Sequence, residues 1–189
     1  MKTIITSIKL LLFLTVLTGI IYPLFIYLIA VTFFLEKSEG SFVIVNEKII
    51  GSELFGQKFT SKKYFHSRPS EIDYQPIPSG GSNLSPTSKK LKSKIDSLRI
   101  DFIIFNELPV NTDIPTDAVF SSASGIDPHI SPANALLQSN RIVKERNFDA
   151  NKKKQLIELI NKLTEKPQYG FLGETRINVL ILNIELDKL

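Results

Sequence analysis

The stretch LLLFLTVLTGIIYPLFIYLIAVTFFL, residues 10–35, contains no ionisable side chain except its tyrosines and is dominated by Leu, Ile, Phe and Val. At 1.5 Å per residue a helix of this length extends ~39 Å, more than the ~30 Å hydrocarbon core of a bilayer, so it spans with tilt or with its ends among the headgroups. A cleaved signal peptide is the competing reading, because Lys2 and Lys9 supply a positive leading region. Its apolar segment would be shorter, about 7 to 15 residues, and would end at small residues. Leu28-Ile29-Ala30 lacks that cleavage pattern, and we expect an uncleaved anchor. Within the span, Tyr22-Pro23 is expected to interrupt the helical ladder, because proline offers no N–H. Thr15, Thr18 and Gly19 present small surfaces that another helix could approach.

The residues on either side give the orientation. Lys2 and Lys9 are the only basic residues before position 35, and no acidic residue precedes it. A short basic N-terminus stays in the cytoplasm, which places residues 36–189 outside. Of 23 basic residues, 21 therefore lie beyond the span against all 19 acidic ones, too even a balance for nucleic-acid binding. The chain has no cysteine, which removes disulfide frameworks, thiolate metal sites and cysteine nucleophiles together.

Beyond the span, Phe42-Val43-Ile44-Val45 reads as a strand. Residues 64–88 form a long Ser/Pro/Gly/Asn stretch with the turn cluster Ser79-Gly80-Gly81-Ser82-Asn83, expected to be ordered because Tyr64, Phe65 and Tyr74 can be buried. Leu91, Ile95, Leu98, Phe102 and Phe105 recur at helical spacing, and Pro109 follows their helix. Ser131-Pro132 places a cap before a first-turn proline, opening a helix through Leu136, Leu137, Ile142 and Val143. Asp149 caps another helix, with Leu156, Leu159, Ile160 and Leu163 on one stripe and Lys152-Lys153-Lys154 on its solvated face. Residues 176–186 read as a strand after a turn at Tyr169-Gly170-Phe171-Leu172-Gly173. The fold class is thus an α+β outer domain on a single N-terminal transmembrane helix, divided as 1–9, 10–35 and 36–189, with no internal repeat.

Ser121, Ser122, Ser124, Asp127 and His129 invite a hydrolase reading, since a serine nucleophile needs an imidazole base and an orienting carboxylate. Their crowding in sequence and the lack of a G-x-S-x-G elbow argue against it. His66 and His129, with Asp73 or Asp127, lack the short spacing of metal ligands. No phosphate-binding glycine motif is present. Arg68 and Arg141 could each form a bidentate carboxylate pair that locks a loop or an interface.

Taken in order, YPL at 22–24, GSELFGQKF at 51–59, YFHSRPS at 64–70, SGGSNLSPTS at 79–88, SGIDPHISP at 124–132, Gln138 with Arg141, and GFLGETRINVLILN at 170–183 form a series covering nearly the whole chain. The series resembles the KdpC family, the C subunit of the bacterial high-affinity potassium-transporting P-type ATPase. The resemblance implies a noncatalytic accessory subunit in the cell inner (plasma) membrane. Its partners would be a potassium-translocating A subunit, an ATP-hydrolysing B subunit and a small membrane subunit.

The resemblance also implies a catalytic chaperone that raises the ATP affinity of the hydrolysing subunit. No cofactor would be bound independently, and ATP would be met only through the complex, with Gln138 as a nucleotide contact. That role conflicts with the topology, because an outer Gln138 cannot reach cytoplasmic ATP. The motifs further mark Tyr22, Pro23, Arg68, Ser79, Gly80, Gly81, Asn83, Asp127, His129, Arg141 and Asn178 as interface or loop-structuring positions. Ala123 stands where the family commonly has glycine, and residues 141–146 are more charged than usual. A membrane-anchored serine hydrolase and a module binding an envelope polymer are the alternative functions.

Overall fold

A computed structural model describes residues 2–189, which separate into two compact units, one ending at Ser52 and the other running Glu53–Leu189. In the first unit the apolar segment is one helical run, built from α1 (Lys2–Val16), a π-helical turn (Leu17–Ile21) and α2 (Tyr22–Phe33). It begins earlier than the apolar residues alone indicate. The run is long and apolar enough to cross a membrane. Pro23 does not break it. The Tyr22 N–H donates to the Leu17 carbonyl, five residues back, so the ladder changes register just ahead of the proline. A short helix α3 (Leu35–Ser38) comes next, then the antiparallel hairpin β1 (Phe42–Val45) and β2 (Lys48–Ser52). Asn46 and Glu47 both have φ near +50 to +64°, the backbone of a two-residue hairpin turn.

The second unit contains α4 (Lys89–Phe105), α5 (Thr116–Val119), β3 (His129–Ile130), α6 (Pro132–Glu145), α7 (Ala150–Lys162), β4 (Ile177–Asn178) and α8 (Val179–Leu186). Its core joins Phe65 to Ile130, Ala135 and Ile142 of β3 and α6, Leu156 and Ile160 of α7, and Ile177, Val179, Leu182 and Leu186 of β4 and α8. Ser131 and Asp149 cap α6 and α7 as expected, accepting from Asn134 N and Lys152 N. Lys152, Lys153 and Lys154 are exposed. The stripe on α4 is only half-buried along its length.

The expected final strand is overturned. Residues 176–186 are not a strand: only Ile177–Asn178 pairs with β3, in the register His129↔Asn178 and Ile130↔Ile177. Asn178 Oδ1 then accepts from Leu180 N at 3.0 Å and Ile181 N at 3.2 Å, satisfying two donors that a helix start leaves open. Val179, Leu182 and Leu186 repeat at three and four residues, so helix geometry buries all three on one face. A run rich in branched apolar residues fits both periods, and the capping asparagine decides between them.

Candidate functional site

Helix α6 carries a polar stripe, Asn134, Gln138 and Arg141, at spacings of four and three that align on one face. All three side chains are buried. Gln138 meets its full hydrogen-bonding capacity within the domain. Its Oε1 accepts from His66 N at 2.8 Å and Arg141 Nη2 at 3.0 Å, and its Nε2 donates to His66 O at 3.1 Å and Asn134 Oδ1 at 2.9 Å. Asn183 of α8 treats the preceding residue the same way, accepting from Phe65 N at 2.8 Å and donating to Phe65 O at 2.9 Å. Two carboxamides from two helices thus hold successive peptide groups of the YFHSRPS segment, as a neighbouring strand would. Irregular chain packed against the core needs such partners, since each unpaired buried peptide group would cost about 1–3 kcal/mol.

Arg141 completes the clamp without a carboxylate, contrary to the expected bidentate pair. Its Nε donates to Asn106 Oδ1 at 2.9 Å, Nη2 to Tyr64 O at 3.0 Å, and Nη1 to the Lys62 carbonyl. The guanidinium lies 4.8 Å from the centre of the Phe105 ring. Burial lowers its pKa to about 10, which still leaves it charged at neutral pH. Carbonyl dipoles and a ring face therefore solvate the charge directly, with the Glu145 carboxylate acting on it only electrostatically. The His66 ring packs at a 42° tilt against the same ring, centroids 4.7 Å apart, and its burial holds the imidazole pKa below the ordinary value.

A second cluster lies in the SGIDPHISP segment. Arg68 Nη1 donates to Asp127 Oδ2 at 2.9 Å and Nη2 to Phe120 O at 3.4 Å, so the arginine grips one carboxylate oxygen and one carbonyl, not both oxygens. His129 meets the other oxygen, with its N–H at 3.0 Å and Nδ1 at 3.1 Å from Asp127 Oδ1. Partial burial opposes the Asp127 charge, but the His129 bonds and the neighbouring Arg68 outweigh it and keep the carboxyl pKa below its usual value. Asp117 closes the start of α6, accepting from Ser131 N, Ser131 Oγ and Asn134 Nδ2 at 2.8 to 2.9 Å.

The serines do not complete a nucleophilic relay. Ser121 Oγ donates to Glu71 Oε1 at 2.6 Å, Ser122 Oγ accepts from Asp127 N at 3.5 Å, and Ser124 Oγ accepts from Ile126 N at 3.3 Å. None of these hydroxyls bonds to His129, and both Asp127 oxygens are occupied. The arrangement knits loops together. Gly80 N donates to Ser124 O at 3.2 Å, and Ser70 Oγ donates to Gly125 O at 2.7 Å. Gly81 lies close to the Ser122 and Ala123 backbone, while Ser79 and Asn83 are exposed in the same turn. Ala123 has no positive φ, so the departure from glycine there requires no special backbone.

The sequence-marked positions thus fall into groups. Gln138 and Arg141 form the clamp, Arg68, Asp127 and His129 the ion cluster, and Gly80 and Gly81 line the loop facing Ser122–Ser124. Asn178 stands opposite His129 in the β3–β4 pair and donates to Glu53 O at 2.8 Å. Tyr22 and Pro23 belong to the other unit. Sequence reading misses Asn106, Asp117, Asn134 and Asn183. The signal for Asn134 is its helical spacing from Gln138 and Arg141, and for Asn183 its isolation within an apolar run. A cleft of about 730 Å³ is bordered by Arg68, Asp117, Asp127, His129, Glu165 and Arg176, and a groove of about 600 Å³ by His66, Phe102, Phe105 and Gln138.

Fold and site define an α+β domain preceded by one long apolar helix, its buried polar groups spent on fastening irregular chain. The family model for KdpC, the K+-transporting ATPase c chain, matches residues 4–188. A potassium-transporting ATPase KdpC subunit of Koribacter versatilis is 43% identical over 98% of this chain and 94% of its own length. The subunit of the same name from Leptospira interrogans is 45% identical over 96% and 91%, and that of Mycobacterium tuberculosis 40% identical over 100% and 99%. The chain belongs to the KdpC family.

Proposed function

We propose that this chain is a membrane-anchored, noncatalytic subunit of an ATP-driven potassium-uptake complex. The observation that carries this is the match of the whole chain, helix and outer domain together, to subunits named for a potassium-transporting ATPase. The helix Lys2–Phe33 anchors it in the inner (plasma) membrane, with the basic N-terminus cytoplasmic and residues from 36 onward outside. Its partners are a potassium-translocating subunit, a P-type ATP-hydrolysing subunit and a small membrane subunit. The outer domain stabilises the assembly and modulates it over the potassium entrance.

A chaperone effect on ATP use, in this reading, passes through the membrane subunits and does not need Gln138 to touch nucleotide. Two features support that: the outward topology, and the four internal bonds that occupy the Gln138 carboxamide. The test is affinity purification in mild detergent through a tag after Leu189. Recovery of a polytopic potassium subunit and a P-type ATPase, with potassium-stimulated ATP hydrolysis, is the expected result. A chain purified alone from a host expressing both partners would overturn the reading. Deleting residues 53–189 should impair assembly or potassium affinity, and unchanged values for both would remove the outer-domain role.

A further inference from the structure

The β1–β2 hairpin presents an apolar face that its own unit leaves open. Phe42, Ile44 and Ile49 are 56, 62 and 63% exposed. Ile44 and Ile49 are direct cross-strand partners, and Phe42 lies two residues from Ile44 on the same side of the strand. A two-stranded hairpin is marginal alone in water, so what meets its apolar face matters to whether it forms.

Its position indicates what that is. Three residues separate α3 from β1, and only Phe34 separates α3 from the apolar helical run. The connection is bonded throughout. Gly40, at φ +103°, donates to Lys37 O at 3.2 Å, and Ser41 N donates to Glu36 O at 2.9 Å, a paired closure of the helix end that glycine favours. Ser52 Oγ donates to Gly40 O at 2.6 Å, tying the far end of the hairpin to the same turn. The Phe42 ring folds back to within 3.8 Å of where a Gly40 side chain would begin, toward the helix end. A short bonded link therefore ties the hairpin to the end of the apolar helical run.

We propose that the hairpin lies on the bilayer surface, with Phe42, Ile44 and Ile49 in the zone between headgroups and acyl chains on the side where the helix exits. This rests on the proposed membrane anchoring of the chain. Residues 36–52 carry two lysines, Lys37 and Lys48, against Glu36, Glu39 and Glu47. The contact is consequently apolar and does not depend on anionic lipid.

The absence of cysteine makes single-site labelling clean. Full-length Ile44→Cys, Ile49→Cys, Phe25→Cys and Tyr169→Cys variants carry an NBD fluorophore in phosphatidylcholine vesicles, with and without phosphatidylglycerol, and no other protein. Phe25 lies mid-span, and Tyr169 is 87% exposed in the second unit. The expected result is quenching at 44 and 49 by lipids labelled shallowly on the acyl chain, with iodide quenching severalfold weaker than at Tyr169, equally in both lipid mixtures. Iodide access at 44 and 49 matching Tyr169, with Phe25 still quenched by deep lipid labels, would overturn the proposal and leave the anchor standing. Shielding that arises only when partner subunits are added would overturn it in favour of a protein contact. Failure of deep labels to quench Phe25 would defeat the anchor reading itself. Two independent hairpin positions, each checked for native circular dichroism, guard against local damage by one label.

Discussion

Gln138 has four hydrogen bonds and no exposed surface to speak of, so its substitution reports on folding before anything else. Gln138→Ala strands the N–H and carbonyl of His66 and the Asn134 side-chain carbonyl, at a cost of about 3 kcal/mol. Gln138→Glu should cost a comparable amount, because an acceptor replaces the amide donor facing His66 O and Asn134 Oδ1. Urea unfolding of the detergent-solubilised chain, followed by circular dichroism without nucleotide, checks both. Unchanged unfolding midpoints would contradict the clamp and restore Gln138 as a ligand-facing residue. The sequence singles out Gln138 and Arg141 as positions, but not what they touch. Their partners at Tyr64 and His66 lie more than 70 residues away, and helical spacing carries no information across that separation.

At the scale of elements, the β4–α8 junction depends on one side chain with two jobs. Asn178→Ala removes the cap and the bond to Glu53 O, for a combined loss of about 2 kcal/mol. Asn178→Asp keeps the capping oxygen and forfeits only the donor, so it should lose roughly half as much. Equal losses in thermal or urea unfolding would show that the cap does not hold α8. The long loop makes a similar comparison possible. Gly125 has φ +74°, and a Cβ there would fall 2.5 Å from Ile72 Cγ1, whereas a Cβ on Gly80 meets nothing within 4 Å. Gly125→Ala should therefore cost about 2 kcal/mol and Gly80→Ala almost nothing, read by the same unfolding curves. Both glycines sit in motifs of equal prominence in the sequence, and only the packed structure separates them.

For the second unit as a whole, acid is the natural denaturant. The folded imidazole of His66 has a lowered pKa, so below about pH 6.5 the unfolded chain takes up a proton that the folded one refuses. Glu71 is held below the usual carboxylate value by hydrogen bonds from Lys94 and Ser121, and Asp127 is lowered by its bonds to His129 and the charge of Arg68. For both, the stability present above the ordinary carboxylate pKa is lost as pH falls toward the folded value. All three groups act in the same direction. Unfolding free energy should decline from about pH 6.5 and more steeply below about pH 4.5. His66→Phe keeps a ring against Phe105 and should flatten the upper part of that decline alone. A stability profile level from pH 7 to 5 in the unsubstituted chain would contradict the His66 assignment.

The long apolar helix, the caps at Ser131 and Asp149, the strand at 42–45 and the family are all readable from the chain, because each depends on local spacing or on the order of short motifs. A helix start needs a side-chain acceptor within three residues, and a membrane span needs only an uninterrupted apolar length; both are properties of neighbours in sequence. Tertiary structure decided everything that depends on distant partners. It buried one face of the final helix against the core, gave Arg141 carbonyls as its hydrogen-bond partners, and kept the serines away from His129. Hydrogen bonds between α6, α8 and the 62–66 segment form only when the core brings those elements together, and the burial that makes them obligatory exists only in the folded chain.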